Sequence, residues 1–250
     1  MHASTAARLL TLNRQFYQTF GRAFAETRRR IQPGVMQVLE GIPTSGRWLD
    51  LGCGSGALAV EWALKKRHGE YLGVDFSPQL LEVARQAVHG LAPEGLQIHF
   101  LPADLSIPGW EPQTQGRAFD GVLAFAVLHH LPGAGLRQQV LRQVHGLLAP
   151  DGWFIHSEWQ FQNSARLMAR RLPWGSIGLK DEDLDEGDTL LDWRHALPGQ
   201  AEQSGLRYVH LFSRPELAEL AASSGFIIEQ EFESDGEGGK LGLYQVWRSV

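Results

Sequence analysis

The sequence predicts an α/β fold, a mostly parallel sheet with helices on both faces, and three observations carry that prediction. Short β-rich runs alternate with helical patterns between about residues 47 and 159, the order expected of consecutive βαβ units. A glycine-rich turn, Gly52-Cys53-Gly54-Ser55-Gly56, joins the first of these strands to the first of these helices. The chain has 250 residues, 43% hydrophobic and 20% charged, enough for one such domain with a substantial core.

The elements follow in order. Strands are expected at 47–51, 71–74, 97–101, 119–125 and 152–158, with helices at 58–67, 79–89 and 136–148 between them. Ser77-Pro78 marks a helix start, the serine as N-cap and the proline in the first turn. Ala149-Pro150-Asp151-Gly152 reads as a turn feeding the fifth strand. Near the end, a helix at 215–224 precedes two strands at 226–232 and 241–247, an antiparallel hairpin around the turn 235–239. Two regions depart from this regularity within what is read as a single domain over 1–250. Residues 1–41 are helical, with Phe16, Tyr17, Phe20 and Phe24 on one face, packed into the core or forming a lid over a ligand site. Residues 160–212 form a long connection, read as a substrate-side insertion, with an acidic stretch at 180–188 followed by Trp193, His195, Arg207, Tyr208 and His210.

Charge and composition exclude several classes. The net charge of −5 argues against a broad polyanion-binding surface but leaves room for a local basic patch. Arg28-Arg29-Arg30 is the one dense basic run, in its simplest reading a solvated helix end. Cys53 is the only cysteine, so no intramolecular disulfide or cysteine-rich metal cluster forms. His129, His130, His195 and His210 lack ligand spacing, and no metal is expected. The start of the chain lacks the order of a secretory signal, and the apolar run 122–128 falls far short of the roughly 20 residues that span a bilayer. A cytoplasmic protein without a membrane partner is the expectation.

The chemistry gathers at the carboxyl ends of the strands. Glycines let the chain turn sharply and let a ligand approach the backbone, and the helix beyond presents free N–H groups. Asp75 ends the second strand about 19 residues after the loop, where a carboxylate accepts both hydroxyls of a ribose. Asp104 follows the third strand, placed to accept from an adenine amino group with Leu105 against the ring. The glycines alone also suit a nicotinamide dinucleotide, since Gly52-x-Gly54-x-x-Ala57 satisfies that pattern. Asp50, directly before the loop, tips the choice: a carboxylate there attracts a cationic ligand and repels a pyrophosphate. The acid at 104 and the terminal hairpin, in place of a second domain, favour S-adenosylmethionine too. The candidate cofactor set is Asp50, Gly52, Cys53, Gly54, Gly56, Asp75, Phe76, Asp104, Leu105 and Phe125.

These segments, with Phe119-Asp120-Gly121-Val122, Leu128-His129-His130-Leu131 and Leu148-Ala149-Pro150-Asp151-Gly152, resemble the class I S-adenosylmethionine-dependent methyltransferases. The resemblance implies a Rossmann-like seven-stranded mixed sheet with the last strand inserted antiparallel, in a monomer or homodimer. A narrower set comprises Phe24-Ala25-Glu26-Thr27-Arg28, Asp188-Thr189-Leu190-Leu191-Asp192-Trp193, Arg207-Tyr208-Val209-His210-Leu211-Phe212 and Tyr244-Gln245-Val246-Trp247-Arg248. It is similar to the tRNA wobble-uridine carboxymethyl methyltransferases, which methylate the carboxylate of a 5-carboxymethyluridine. Ile31-Gln32-Pro33, where that family tends to carry Trp-Pro, and the longer acidic connection depart from it. That family implies tRNA as acceptor and a small activator protein as partner; a small-molecule O- or N-methyltransferase and a non-catalytic donor-binding module are the alternatives.

Transfer from a sulfonium is an in-line displacement, so the enzyme chiefly positions two reactants in a dry site. A carboxylate, with a usual pKa of about 4, needs a cation rather than a base. The resemblance makes Arg28 and Arg207 the candidates, each otherwise a surface ion pair. A hydroxyl acceptor needs a base, for which His129, His130 or His210 serve. His129 and His130 alternatively order the loop after the fourth strand or touch the cofactor. Tyr17, His130, Trp193 and Tyr208 are candidate acceptor contacts, Trp193 and Tyr208 by stacking on a base or else as packing residues.

Overall fold

The computed structural model describes residues 1–26, 30–112, 117–195 and 202–250. Helices α1 (Ala3–Glu26) and α2 (Pro33–Gly41) lead into β1 (Arg47–Leu51), α3 (Ala57–Leu64), β2 (Gly69–Asp75), α4 (Pro78–Val88), β3 (Leu96–Pro102), β4 (Phe119–Phe125), α5 (Ala134–Leu147) and β5 (Leu148–Trp159). After α6 (Ala165–Met168) come β6 (Arg171–Leu172), β7 (Asp188–His195), β8 (Gln203–His210), α7 (Arg214–Ser223), β9 (Phe226–Ser234) and β10 (Gly242–Ser249).

Seven strands form one sheet in the order β3-β2-β1-β4-β5-β10-β9, parallel except for β10, which runs antiparallel to both neighbours. This is the Rossmann-like mixed sheet expected. The strand alternation decides which helix covers which face. Leu49, Leu51, Val122, Ala124 and Phe154 point to the side covered by α5 and α7. Trp48, Leu123 and Ile155, one residue out of phase, meet Val35 and Val38 of α2, Trp62 of α3 and Leu81 of α4. With both faces covered, the central strands read as unbroken apolar runs, which is why they were visible in sequence. Ser77 caps α4 through the Leu80 amide, with Pro78 in its first turn. The turn at residues 149–152 lies inside β5 as an irregularity: Phe119 pairs with Leu148 but Gly121 with Trp153, and Asp151 has φ +58°.

The connection 160–212, for which no elements were assigned from sequence, holds a second sheet in the order β6-β7-β8, all antiparallel. Adjacent apolar residues serve its two faces. Leu190 and Tyr208 pack with Leu9 of α1 and Trp174, while Leu191 and Val209 pack with Phe161. Edge strand β8 is covered by α1: Asn13 accepts from the Tyr208 amide (2.9 Å) and donates to the Tyr208 carbonyl (3.1 Å). The two elements approach so closely that a Cβ on Gly205 would lie 2.6 Å from the Phe20 ring. Among the described residues, no helix is long and apolar enough to cross a membrane.

Candidate functional site

A cavity of about 530 Å³ opens beyond the carboxyl ends of β1, β2, β4 and β5, roofed by α1. One half is acidic. Asp50, Gly52, Cys53, Gly54, Asp75, Phe76, Asp104, Leu105 and Phe125 all line the cavity, so the structure brings together nine of the ten residues expected to hold the cofactor. Gly56 is the exception: a Cβ there would meet Ala84 at 2.8 Å, so its smallness serves the packing of the loop against α4. Gly54, at φ +55°, has no neighbour closer than 4.0 Å to such a Cβ and leaves open space along the loop.

The acids differ in environment. Asp50 is buried and accepts a short hydrogen bond from the Tyr71 hydroxyl. Burial pushes its pKa up to about 7, the Tyr71 bond working against that and Asp75 adding to it. Asp75 accepts from the Gly54 amide (3.0 Å) and the Ser77 amide (2.8 Å). Burial raises its pKa to about 6, and those amides hold it from going higher. A carboxylate so desolvated favours a cationic or hydroxyl-bearing ligand that restores its solvation. Burial and the two aspartates also raise the Cys53 thiol pKa, so this cysteine stays protonated and acts as a small wall residue. Asp104 has both oxygens engaged, Oδ1 by the Ser106 amide and hydroxyl, Oδ2 by Arg14 of α1 at 2.7–2.8 Å.

The other half is basic and aromatic. Arg207 of β8 is buried in the wall, its guanidinium carbon 5.0 Å from the Trp159 ring centre and 5.2 Å from that of Phe16. Burial lowers its pKa, a hydrogen bond with the Tyr17 hydroxyl opposes this, and nearby Arg170 lowers it further. The Tyr17 hydroxyl also lies 3.0 Å from His130 Nε2. His130 Nδ1 faces the Tyr208 carbonyl at 3.3 Å, so a neutral ring carries its proton there and accepts from Tyr17 at Nε2. His129 lines the cavity beside it, with its amide 3.1 Å and its Nδ1 3.0 Å from Glu158 Oε2. Burial raises the Glu158 pKa well above the carboxylate range.

Tyr17, His129, His130 and Arg207 therefore meet at one wall, and three other candidates do not. His210 is buried away from the cavity, held between Asp188 (2.7 Å) and Glu216 (3.0 Å), and these carboxylates raise its pKa against the effect of burial. Both ring nitrogens are thus occupied, which removes it as a base. Tyr208 is fully buried and donates to Asp188 (2.8 Å), so it packs the small sheet and stacks on no ligand. Trp193 packs at 5.5 Å from Phe16 and 5.3 Å from Phe20, behind the wall. Arg28 lies outside the described residues. Sequence reading missed Arg14, Glu158 and Arg166, all at or behind the wall, and also Asp235, which accepts from Tyr244 (2.6 Å) and the Gly34 amide (3.0 Å). Each depends on segments far apart in the chain; the polar run His156-Ser157-Glu158 ending β5 was the one local signal, for Glu158.

The family model described as a methyltransferase domain matches residues 49–154. The tRNA (carboxymethyluridine(34)-5-O)-methyltransferase of Schizosaccharomyces pombe is 24% identical over 236 residues, covering 88% of this chain and 91% of that protein. The tRNA (carboxymethyluridine(34)-5-O)-methyltransferase ALKBH8 of Mus musculus is 27% identical over 176 residues, 67% of this chain; the match spans only 23% of that protein. A ubiquinone biosynthesis O-methyltransferase from Xylella fastidiosa is 30% identical over 190 residues, covering 71% of each. Among solved structures, a SAM-dependent methyltransferase from Methanosarcina mazei superposes with a TM-score of 0.62 at 20% identity, covering 88% of this chain and 98% of that one.

Proposed function

Since the chain belongs to the class I S-adenosylmethionine-dependent methyltransferases, we propose that its methyl acceptor is a carboxylate, that of a 5-carboxymethyluridine in tRNA. The bound donor supplies a methyl group on a sulfonium, which the acceptor displaces in line. The acidic half suits that donor. Asp50 faces its cationic groups, Asp75 takes the ribose hydroxyls, and Asp104 with Leu105 takes the adenine. The open face of Gly54 lets the ligand lie against the loop, between Phe76 and Phe125. Cation against Asp50 restores its ionised form at neutral pH.

The observation that carries the acceptor reading is Arg207, a buried guanidinium in the wall of the same cavity. A cation so desolvated gains from an anionic ligand, and its planar fork fits a carboxylate. Tyr17, bonded to both Arg207 and His130, fixes the direction in which the fork points. The acceptor arrives ionised, so no proton has to move. The printed activity of the Schizosaccharomyces pombe relative, similar over nearly the whole chain, supports the same acceptor.

A second reading rests on His129. Its bond to Glu158 orients the ring, the arrangement a base needs toward a hydroxyl acceptor. The Xylella fastidiosa relative, by its printed name an O-methyltransferase, favours it. Labelled donor separates the two. With tRNA carrying free 5-carboxymethyluridine, the label is expected in the RNA and is released by mild alkali, as a methyl ester must be. Label confined to a metabolite extract, or resisting alkali, refutes the carboxylate reading.

A further inference from the structure

Strand β2 pairs with β1 in parallel, and its residue opposite Asp50 is Gly73. That position brings no side chain to Asp50, so the neighbour on the same face, Tyr71, reaches along the sheet to it. The Tyr71 ring is fully buried, 5.3 Å from Trp62 of α3 and 6.5 Å from Phe100 of β3. Its hydroxyl donates to Asp50 Oδ2. Among the described residues no group donates to Oδ1, which leaves that oxygen for the cavity that Asp50 lines.

A phenylalanine would fill the same space between Trp62 and Phe100 without burying a hydroxyl. A phenol and a carboxyl are both costly to remove from water, so packing alone does not account for the pair. The groups around Asp50 give the pair a use. Asp75, also on β2, disfavours the ionised carboxyl, and Cys53 in the loop carries a protonated thiol. Strand β4, on the other side of β1, sets Leu123 beside Asp50. Among the described residues the Tyr71 bond is thus the contact that favours a charged Asp50, and burial keeps the phenol protonated as its donor.

We propose that Tyr71 is a positioning residue of the donor site: acting through Asp50, its hydroxyl anchors Oδ2, keeps the carboxylate charged and leaves Oδ1 turned to the donor's cation. The inference rests on the reading of Asp50 as the residue that faces that cation, and it adds the group that makes so buried an acid usable. Tyr71 lies behind the cavity wall and touches no ligand itself.

Calorimetric titration with S-adenosylmethionine between pH 6 and 8 tests this in the wild type, Tyr71→Phe, Asp50→Asn and the double variant. Losing one hydrogen bond to a charged group moves the Asp50 pKa from about 7 to about 8. The ratio of Tyr71→Phe to wild-type Kd is therefore expected to be about tenfold at pH 6 and about twofold at pH 8, and the donor's own titration cancels in that ratio. In the Asp50→Asn background, which has no charge to keep, Tyr71→Phe changes Kd by less than about twofold at either pH. A ratio of the same size at both pH values, a ratio of one, or an equal loss in both backgrounds overturns the proposal while leaving Asp50 in the donor site if Asp50→Asn binds more weakly than the wild type. If Asp50→Asn binds as tightly as the wild type at pH 8, Asp50 does not face the cation, and that reading falls together with the proposal. If Tyr71→Phe folds poorly, tyrosine is replaced by 3-fluorotyrosine, a stronger hydrogen-bond donor. The binding profile is then expected to move to lower pH in the wild type and to stay in place in Asp50→Asn, and an unmoved wild-type profile overturns the proposal.

Discussion

Arg207 shows how much one side chain depends on its surroundings. Its guanidinium is sandwiched between Phe16 and Trp159 and bonded to Tyr17, so it is fixed in direction as well as buried. Arg207→Ala removes the fork while leaving Asp50, Asp75 and Asp104 on the opposite half. Donor affinity by calorimetry is expected to stay within about twofold, and kcat/KM for the carboxylate acceptor to fall about 100-fold, the roughly 2–3 kcal/mol of a charge-assisted bidentate bond. Arg207→Lys keeps the charge but loses the planar fork and recovers only part of that loss. Equal loss of donor binding in both variants would place Arg207 in the donor site and end the acceptor assignment. His210 shows the opposite case. As a residue type it is a candidate base, yet Asp188 and Glu216 lie 22 and 6 residues away in sequence, and only folding reveals that they occupy both ring nitrogens.

At the scale of elements, α1 joins the two halves of the site. Asn13 fastens it to the edge of β8, Arg14 reaches Asp104, and Tyr17 reaches His130 and Arg207. Within the aromatic stripe, Phe16 is buried as packing, while Tyr17 on the same helix lines the cavity. Arg14 creates a conflict at Asp104. Oδ2 accepts from Arg14 Nε at 2.8 Å with Nη2 paired 2.7 Å away, and Oδ1 accepts from the Ser106 amide and hydroxyl, so both oxygens are already engaged. An adenine amino group therefore competes with Arg14 for Oδ2. Arg14→Met, which keeps the length of the side chain without its donors, is expected to tighten donor binding about threefold by calorimetry. Weaker binding would mean that Arg14 holds Asp104 in place for the donor and does not compete with it. The small sheet was hidden from sequence reading for a related reason. Leu190-Leu191 and Tyr208-Val209 place apolar residues side by side because both faces of β7 and β8 are covered, and the alternation that betrays a half-exposed strand is lost.

Across the whole molecule, the large sheet and its acidic ligand edge were legible because each motif is local: a strand, its turn and the acid at its end lie within a few residues. The grouping of the basic half was not: Tyr17, His129, His130 and Arg207 were each candidates, but they come together from α1, the loop after β4 and β8, segments up to about 190 residues apart. The acidic edge also sets how the stability of the ligand-free protein depends on pH. Asp50 has a usual carboxylate pKa near 3.8 in the unfolded chain and about 7 when folded, so between these values the folded state binds a proton that the unfolded state lacks. Stability from this group is therefore greatest below pH 3.8 and is lost as pH rises toward 7. Asp75, raised to about 6, and Glu158 act in the same direction. His156 opposes them: burial lowers its pKa to about 3, so it adds stability as pH rises, but that gain is complete by about pH 6.5. Above that point Asp50 still gives up its proton, and the raised pKa of His210 also costs stability as pH climbs. The urea midpoint of the ligand-free protein is thus expected to fall between pH 6 and 8, with Asp50 contributing on the order of 1 kcal/mol. In Asp50→Asn the amide carbonyl can still accept from Tyr71 without carrying charge, so the midpoint at pH 8 rises and the slope flattens. A cationic donor bound to the wild type produces the same flattening by keeping Asp50 ionised and paired. A wild-type midpoint that holds steady or rises from pH 6 to 8, or an Asp50→Asn slope as steep as the wild type's, would show that burial at the end of β1 is not what sets the charge of this site.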